Sequence, residues 1–175
     1  MKMPYIRLLV LGAVLAVGGC AGENELQARR YMALIRTCEK DDLPKAHRLL
    51  QEGVEPNGKD FIHEIPKSNV EYFAPLRDAP IVCAAENGNF ELVRLLLEYG
   101  ADPDWCCCSC VTALHVAILN EHTYVVALLL AHGADATIPY DGQISTLDLA
   151  EQVGNESIIQ MILVASNIIE ADLFF

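Results

Sequence analysis

Four of the seven cysteines fall within five consecutive positions, Cys106-Cys107-Cys108-Ser109-Cys110, the densest concentration of potential chemistry in the chain. The run holds a C-x-x-C spacing (Cys107, Cys110) and a C-x-C spacing (Cys108, Cys110). Such thiols can pair as disulfides, hold a soft metal ion or exchange electrons catalytically. Zinc asks for about four ligands in tetrahedral array, which adjacent residues supply poorly. A catalytic C-x-x-C opens a helix beside a βαβ unit, and none is legible here. Cys106, Cys107, Cys108 and Cys110 are therefore disulfide candidates, within the run or to another thiol, if the chain matures in oxidising surroundings. A thiol or metal protein centred on this run stays as the rival reading.

The histidines bring little catalytic company. His115 stands in Thr112-Ala113-Leu114-His115 with no partner base or metal ligand at readable spacing, and His122 and His132 read as solvated. His63-Glu64 lacks the second histidine of a zinc-protease helix, and neither a G-x-S-x-G elbow nor a phosphate loop occurs. No catalytic residue, cofactor or metal is expected.

The elements that position these residues begin with a leader. Lys2 and Arg7 flank the start of an apolar run, Leu8 to Val17, too short to span a bilayer but matching a signal-peptide core. The run ends in Val17-Gly18-Gly19-Cys20, which resembles the bacterial lipobox. That resemblance implies lipidation at Cys20 as the mature N-terminus. An ordinary cleaved signal peptide would use the same small residues, but the cysteine at the end of the apolar core favours the lipobox. Ala21 stands where Asp would retain a lipoprotein at the inner membrane, so the resemblance implies the outer membrane, facing the periplasm. Several acyl chains hold such a protein durably, where one would not.

Composition agrees with a folded exported domain. Hydrophobic residues make up 53% of the 175 positions and charged residues 21%, which argues against disorder. The formal charge is −12, from 12 Lys and Arg against 24 Asp and Glu. Residues 1–19 hold only Lys2 and Arg7 among charged groups, so the chain from Cys20 onward carries ten positive and 24 negative charges, a net of −14. That balance speaks against nucleic acid and for a partner with a basic or neutral surface.

The remainder repeats. Ala79-Pro80-Ile81-Val82-Cys83-Ala84 recurs as Thr112-Ala113-Leu114-His115-Val116-Ala117 and as Ser145-Thr146-Leu147-Asp148-Leu149-Ala150, each 33 residues after the last. Leu96-Leu97-Glu98-Tyr99-Gly100-Ala101-Asp102 recurs as Leu129-Leu130-Ala131-His132-Gly133-Ala134-Asp135 at the same interval. Period and motif phase resemble the ankyrin repeat, whose unit opens with T-P-L-H-x-A. An earlier, degenerate unit ends in Leu49-Leu50-Gln51-Glu52-Gly53, and Pro56-Asn57 matches Pro103-Asp104. Gly53 to Gly100 spans 47 residues, one period plus 14, so an insertion separates the first two units.

The resemblance implies an all-α ankyrin-repeat solenoid of about four helix-turn-helix units with hairpin fingers. The expected division is signal peptide 1–19, lipidated N-terminus and linker 20–29, repeat 1 at 30–58, insertion 59–77, repeat 2 at 78–110, repeat 3 at 111–143, and repeat 4 with a C-terminal cap at 144–175. Leu92, Val93, Leu95, Leu96 and Leu97 form an apolar helix face, as do Val125, Val126, Leu128, Leu129 and Leu130 one period on. Gly88 and Gly154 end first helices where Glu121 stands in the third unit, which predicts strain or a looser turn there. By resemblance, His115 bonds backbone and ties repeats together, and the cysteine run lies on the finger between units two and three. Cys38 and Cys83 fall on neighbouring first helices as small core residues.

Carried over by position, the family's variable contact sites fall on Cys106, Cys108, Ser109, Val111, Leu119, Asn120, Pro139, Asp141, Ile144, Gln152 and Val153. Trp105 and Tyr140 stand beside them as candidate anchors, although a Trp packed under its own loop is an equal alternative. The insertion adds Tyr72 and Phe73. Together these describe a non-enzymatic protein-binding module, lipid-anchored in the bacterial envelope. Small acidic lipoproteins of this type look like immunity proteins against secreted toxins such as lipase effectors; an envelope scaffold assisting an antioxidant enzyme is the alternative.

Overall fold

The computed structural model describes residues 20–57, 79–105 and 111–166, with side chains from Leu26 onward. The leader 1–19, the insertion 59–77 and the cysteine run 106–110 lie outside them. Eight helices follow one another: α1 (Cys20–Cys38), α2 (Leu43–Gln51), α3 (Pro80–Glu86), α4 (Phe90–Glu98), α5 (Ala113–Leu119), α6 (Thr123–Ala131), α7 (Thr146–Val153) and α8 (Glu156–Ala165). No β-strand longer than an isolated bridge occurs among the described residues.

The helices pair as α1/α2, α3/α4, α5/α6 and α7/α8, and the pairs stack, first helix on first helix and second on second. A pair this small has too little core to stand alone, so each buries its faces against its neighbours. Ala84, Ala117 and Ala150, one period apart, are 0% exposed, and their small side chains let first helices approach closely. The second helices bury Leu92, Val93 and Leu96, then Val125, Val126 and Leu129, then Ile158 and Ile162. Leu95, Leu97, Leu128 and Leu130 are half-buried against the same core.

One feature differs from the sequence-based expectation, and a second decides between the two alternatives that the sequence left open. Residues 20–29, expected as linker, are helical, because α1 starts at Cys20 and runs through the first repeat. The segment lacks Pro and is rich in helix formers such as Ala21, Glu23, Glu25 and Gln27, yet shows no apolar periodicity, which hid the helix. The third unit's first turn is not loosened: Glu121 takes φ 58°, matching Asp41 (54°), Gly88 (70°) and Gly154 (80°) at the equivalent places. The stack imposes one turn geometry and the residue at 121 bears the left-handed strain, about 1 to 2 kcal/mol for a side-chain-bearing residue.

A ladder of polar contacts keeps these turns in register. Asn89, His122 and Asn155, 33 residues apart, are the N-caps of α4, α6 and α8, and each reaches back to the preceding turn. Asn89 Nδ2 donates to Asp41 Oδ1 (3.2 Å), His122 Nε2 bonds Glu86 O (2.9 Å), and Asn155 Nδ2 donates to Glu121 Oε2 (3.4 Å). His122, expected to be solvated, is thus an inter-repeat contact: its ring lies over Gly88, where a Cβ would fall 2.6 Å from ring atoms.

Glu121→Gly is expected to stabilise the protein by about 1 kcal/mol, since glycine meets no steric penalty at positive φ. Gly88→Ala should destabilise it, through the same φ penalty and displacement of His122 from Glu86. Thermal melts of both variants check the pair, and a lower melting temperature for Glu121→Gly would show that Glu121 contributes more than strain.

Candidate partner-binding surface

The loops between repeats are organised by side chains that cap backbone groups of the next unit. Asn57 Oδ1 accepts from Asp102 N (2.8 Å), and Asp104 Oδ1, at the equivalent place one repeat later, accepts from Asp135 N (2.9 Å). Asn57 also donates from Nδ2 to Gly100 O (3.0 Å), a bond that the Asp104 side chain, with no N–H, cannot repeat toward Gly133. Partial burial and the nearby Asp102 and Asp135 raise the Asp104 carboxyl, against the lowering effect of its bond to Asp135 N. Asp135 Oδ1 accepts from Thr137 N and Oγ1 at 2.8 and 2.6 Å, which holds its carboxyl below the ordinary range.

The finger between repeats 3 and 4 is a short hairpin closed by Tyr140 N→Ile144 O (2.7 Å) and Ile144 N→Tyr140 O (3.1 Å). Its tip turns through Asp141 (φ 51°) and Gly142 (φ 69°), residue types that tolerate positive φ. Beneath it lies His115, 0% exposed. Thr112 N–H donates to His115 Nδ1 (3.1 Å), so Nδ1 is the acceptor and Nε2–H donates to Ile138 O (3.0 Å), beside Thr146 Oγ1 (3.2 Å). One neutral imidazole thereby caps α5, holds the finger and touches repeat 4. Burial lowers its pKa, opposed in part by the Ile138 bond and the Asp104 charge.

Tyr140 sets its ring edge-on to His115, with centroids 5.6 Å apart at 73°. Tyr140 and Trp105, the candidate anchors, are both half-buried and packed against the core, and packing was the alternative left open for Trp105. Tyr72, Phe73, Ser109 and the candidates Cys106, Cys107, Cys108 and Cys110 lie outside the described residues. Val111 is half-buried ahead of α5, and Leu119 is 42% exposed at its end. Asn120 is exposed and donates from Nδ2 to Val116 O (2.9 Å). Asp141 and Gln152 are exposed.

Gln152 belongs to an open depression of about 460 Å³ between the hairpin and α7, lined also by Gln143, Ile144, Asp148 and Glu151. Ser145 and Asp148 fix its rim: Asp148 N donates to Ser145 Oγ (3.0 Å), and Ser145 Oγ–H donates to Asp148 Oδ2 (2.7 Å). The charge around it is one-sided. No Lys or Arg follows Arg94, whereas eleven Asp and Glu do. The structure adds the exposure of Tyr124 (81%) and Phe90 (38%) on second helices, which the repeat phase did not single out. Among the described residues no three His, Cys, Asp or Glu side chains are grouped to hold a metal ion.

The family description "Ankyrin repeats (3 copies)" matches residues 34–140 and, in a second register, 81–172. The chain belongs to the ankyrin-repeat family. This is a protein-interaction fold. A putative ankyrin repeat protein of Fowlpox virus (strain NVSL) is 47% identical over 53 residues, 30% of this chain and 12% of its own length. A second fowlpox protein of that description is 30% identical over 118 residues, 65% of this chain and 34% of its own. The Notch-regulated ankyrin repeat-containing protein of Xenopus laevis is 29% identical over 104 residues, 56% of this chain and 89% of its own. The chain spans about a third or less of the fowlpox relatives' length.

His115 gives a pH signature. The unfolded chain takes up its imidazole proton near pH ~6.5, while the folded ankyrin stack resists until a lower pH. Between those values the unfolded state binds more protons, so this contribution is fully present above ~6.5 and is lost as pH falls through the folded pKa. Melting temperature should decline from pH 7.5 toward 5.5, and His115→Gln should lower stability while flattening that slope; an equal slope in the variant would assign the proton elsewhere.

Proposed function

We propose that the chain is a non-enzymatic capture module that takes a basic or neutral protein on the groove between the 139–144 hairpin and α7, extended by Leu119 and Asn120. The observation that carries this reading is the open depression beside Asp148, Glu151 and Gln152 in a part of the chain that has no Lys or Arg after Arg94. Acidic, cation-free surfaces raise the local concentration of basic partners and exclude acidic ones. Membership of a protein-interaction family supports the same use.

The proposal includes lipidation at Cys20, outer-membrane attachment and a periplasmic site of action, on the strength of Val17-Gly18-Gly19-Cys20 behind a charged and apolar leader. Because α1 begins at Cys20, an acyl group there would sit at the end of a helix that continues into the first repeat. An anchored inhibitor would stand where a secreted toxin acts, so an immunity protein, for instance against a lipase effector, fits this arrangement.

Metabolic labelling with palmitate should mark the wild type and not Cys20→Ala, which should leave the membrane fraction; an unlabelled wild type removes the lipobox reading. For the groove, capture from envelope extract followed by identification of the bound protein supplies the partner. Association should slow as salt rises past about 0.15 M, where the Debye length is ~8 Å. Glu151→Lys with Gln152→Ala should slow it about tenfold at low salt with little change in melting temperature. Unchanged kinetics in that double variant would move the binding surface to the second helices.

A further inference from the structure

Helices α1 and α3 pack together, and their contact carries two thiols that neither the groove nor the polar ladder uses. Cys38, the last residue of α1, is 0% exposed, and Cys83, in the middle of α3, is 5% exposed. Asn87, one turn beyond Cys83, donates from Nδ2 to Cys38 O at 3.2 Å, and its own N–H bonds Cys83 O at 3.2 Å. Residues four apart share one helix face. The face of α3 that carries Cys83 is therefore the one that meets the end of α1.

From this juxtaposition we propose that Cys38 and Cys83 form a modification site, an inter-repeat disulfide that clamps the first repeat onto the second. The two positions are not equivalent within the repeat. The places matching Cys38 one and two units on are Ala85 and Ile118, and the place matching Cys83 is Val116, so no other described interface pairs two thiols in this way. Burial first, then Cys83, Asp41 and Glu39, push the Cys38 thiol far above its ordinary range.

The oxidant is a small disulfide such as oxidised glutathione. One cysteine loses its S–H proton, and the thiolate attacks the S–S bond of the oxidant, releasing one glutathione, which takes up the proton. The second cysteine displaces the other glutathione in the same manner. Two protein thiols are oxidised to one disulfide and one glutathione disulfide is reduced to two thiols. Because the thiolate is the attacking form and burial disfavours it, the reaction runs slowly in the closed fold and faster as α1 opens from α3.

The bridge would close the chain between 38 and 83, across the insertion, and so restrict the unfolded state. The test uses the full chain with the other five cysteines, Cys20, Cys106, Cys107, Cys108 and Cys110, replaced by serine, treated with oxidised glutathione. The expected result is a loss of two hydrogens in mass, a Cys38–Cys83 linked peptide, and a melting temperature raised by roughly 5 to 10 °C and restored by dithiothreitol. Cys83→Ala in that background should show no oxidant-dependent shift. Peptide mapping of the oxidised wild-type chain gives the same readout if the serine variant does not fold. Two thiols that alkylate in full after oxidation and unfolding, or two separate glutathione adducts, would overturn the proposal.

Discussion

A helix pair of this size has too little core to bury its apolar surface alone, and the described structure follows from that deficit. Leu96 lies on α4 and is 0% exposed within the stack, and Leu129 and Ile162 repeat the arrangement one and two units on. Stability is thus divided between the pairs and their interfaces. The interface fixes backbone geometry as well as packing. Glu121 occupies a left-handed turn at φ 58° because the units before and after it require that turn, whichever residue stands there.

Polar side chains convert this packing into a register. At the N-caps of α4, α6 and α8 the residue type decides how the turn is tied to the preceding one. Asn89 and Asn155 accept from Leu92 N and Ile158 N with Oδ1 while donating backwards with Nδ2. His122 makes no side-chain cap and instead spends its ring on Glu86 O and on the space above Gly88. Between fingers, Asn57 and Asp104 perform the corresponding task on Asp102 N and Asp135 N. Hydrophobic burial is tolerant of small slips, whereas these bonds have fixed partners, so they specify which neighbour each turn meets.

The groove is the surface consequence of the same stacking. His115 occupies the centre of repeat 3 as a neutral ring with both nitrogens engaged, and Tyr140 closes over it. The hairpin is thereby held against the stack, and the side chains left to solvent are short, polar or acidic: Asp141, Gln143, Asp148, Glu151 and Gln152. A surface of that composition on a rigid support discriminates by charge and shape. Basic residues are confined to the chain up to Arg94, so the two ends of the array present different electrostatic faces.

Much of this was legible in sequence because a fixed 33-residue period places every helix and loop once the phase is found. Thr112 to Ala117 and Ser145 to Ala150 declare the first helices, the Leu-Leu-x-x-Gly ends declare the second, and the family follows from period and motif together. Three things waited for tertiary structure. The helix over residues 20–29 has propensity but no apolar face, so only the structure assigned it. Trp105 and Tyr140 have the residue type of anchors, and whether such a ring projects or packs depends on what lies beneath the loop, which for Tyr140 is His115, far from it in sequence. His122 reads as a solvated histidine until Gly88, a full repeat earlier, is brought under its ring. The sequence by itself determined the repeat, its phase and its net charge, since these are local or additive properties. Which polar side chains join repeats was decided by contacts between residues more than thirty positions apart, and which aromatics are covered and where the acidic groove opens were decided by how the hairpin packs on the stack, so all three exist only once the units assemble.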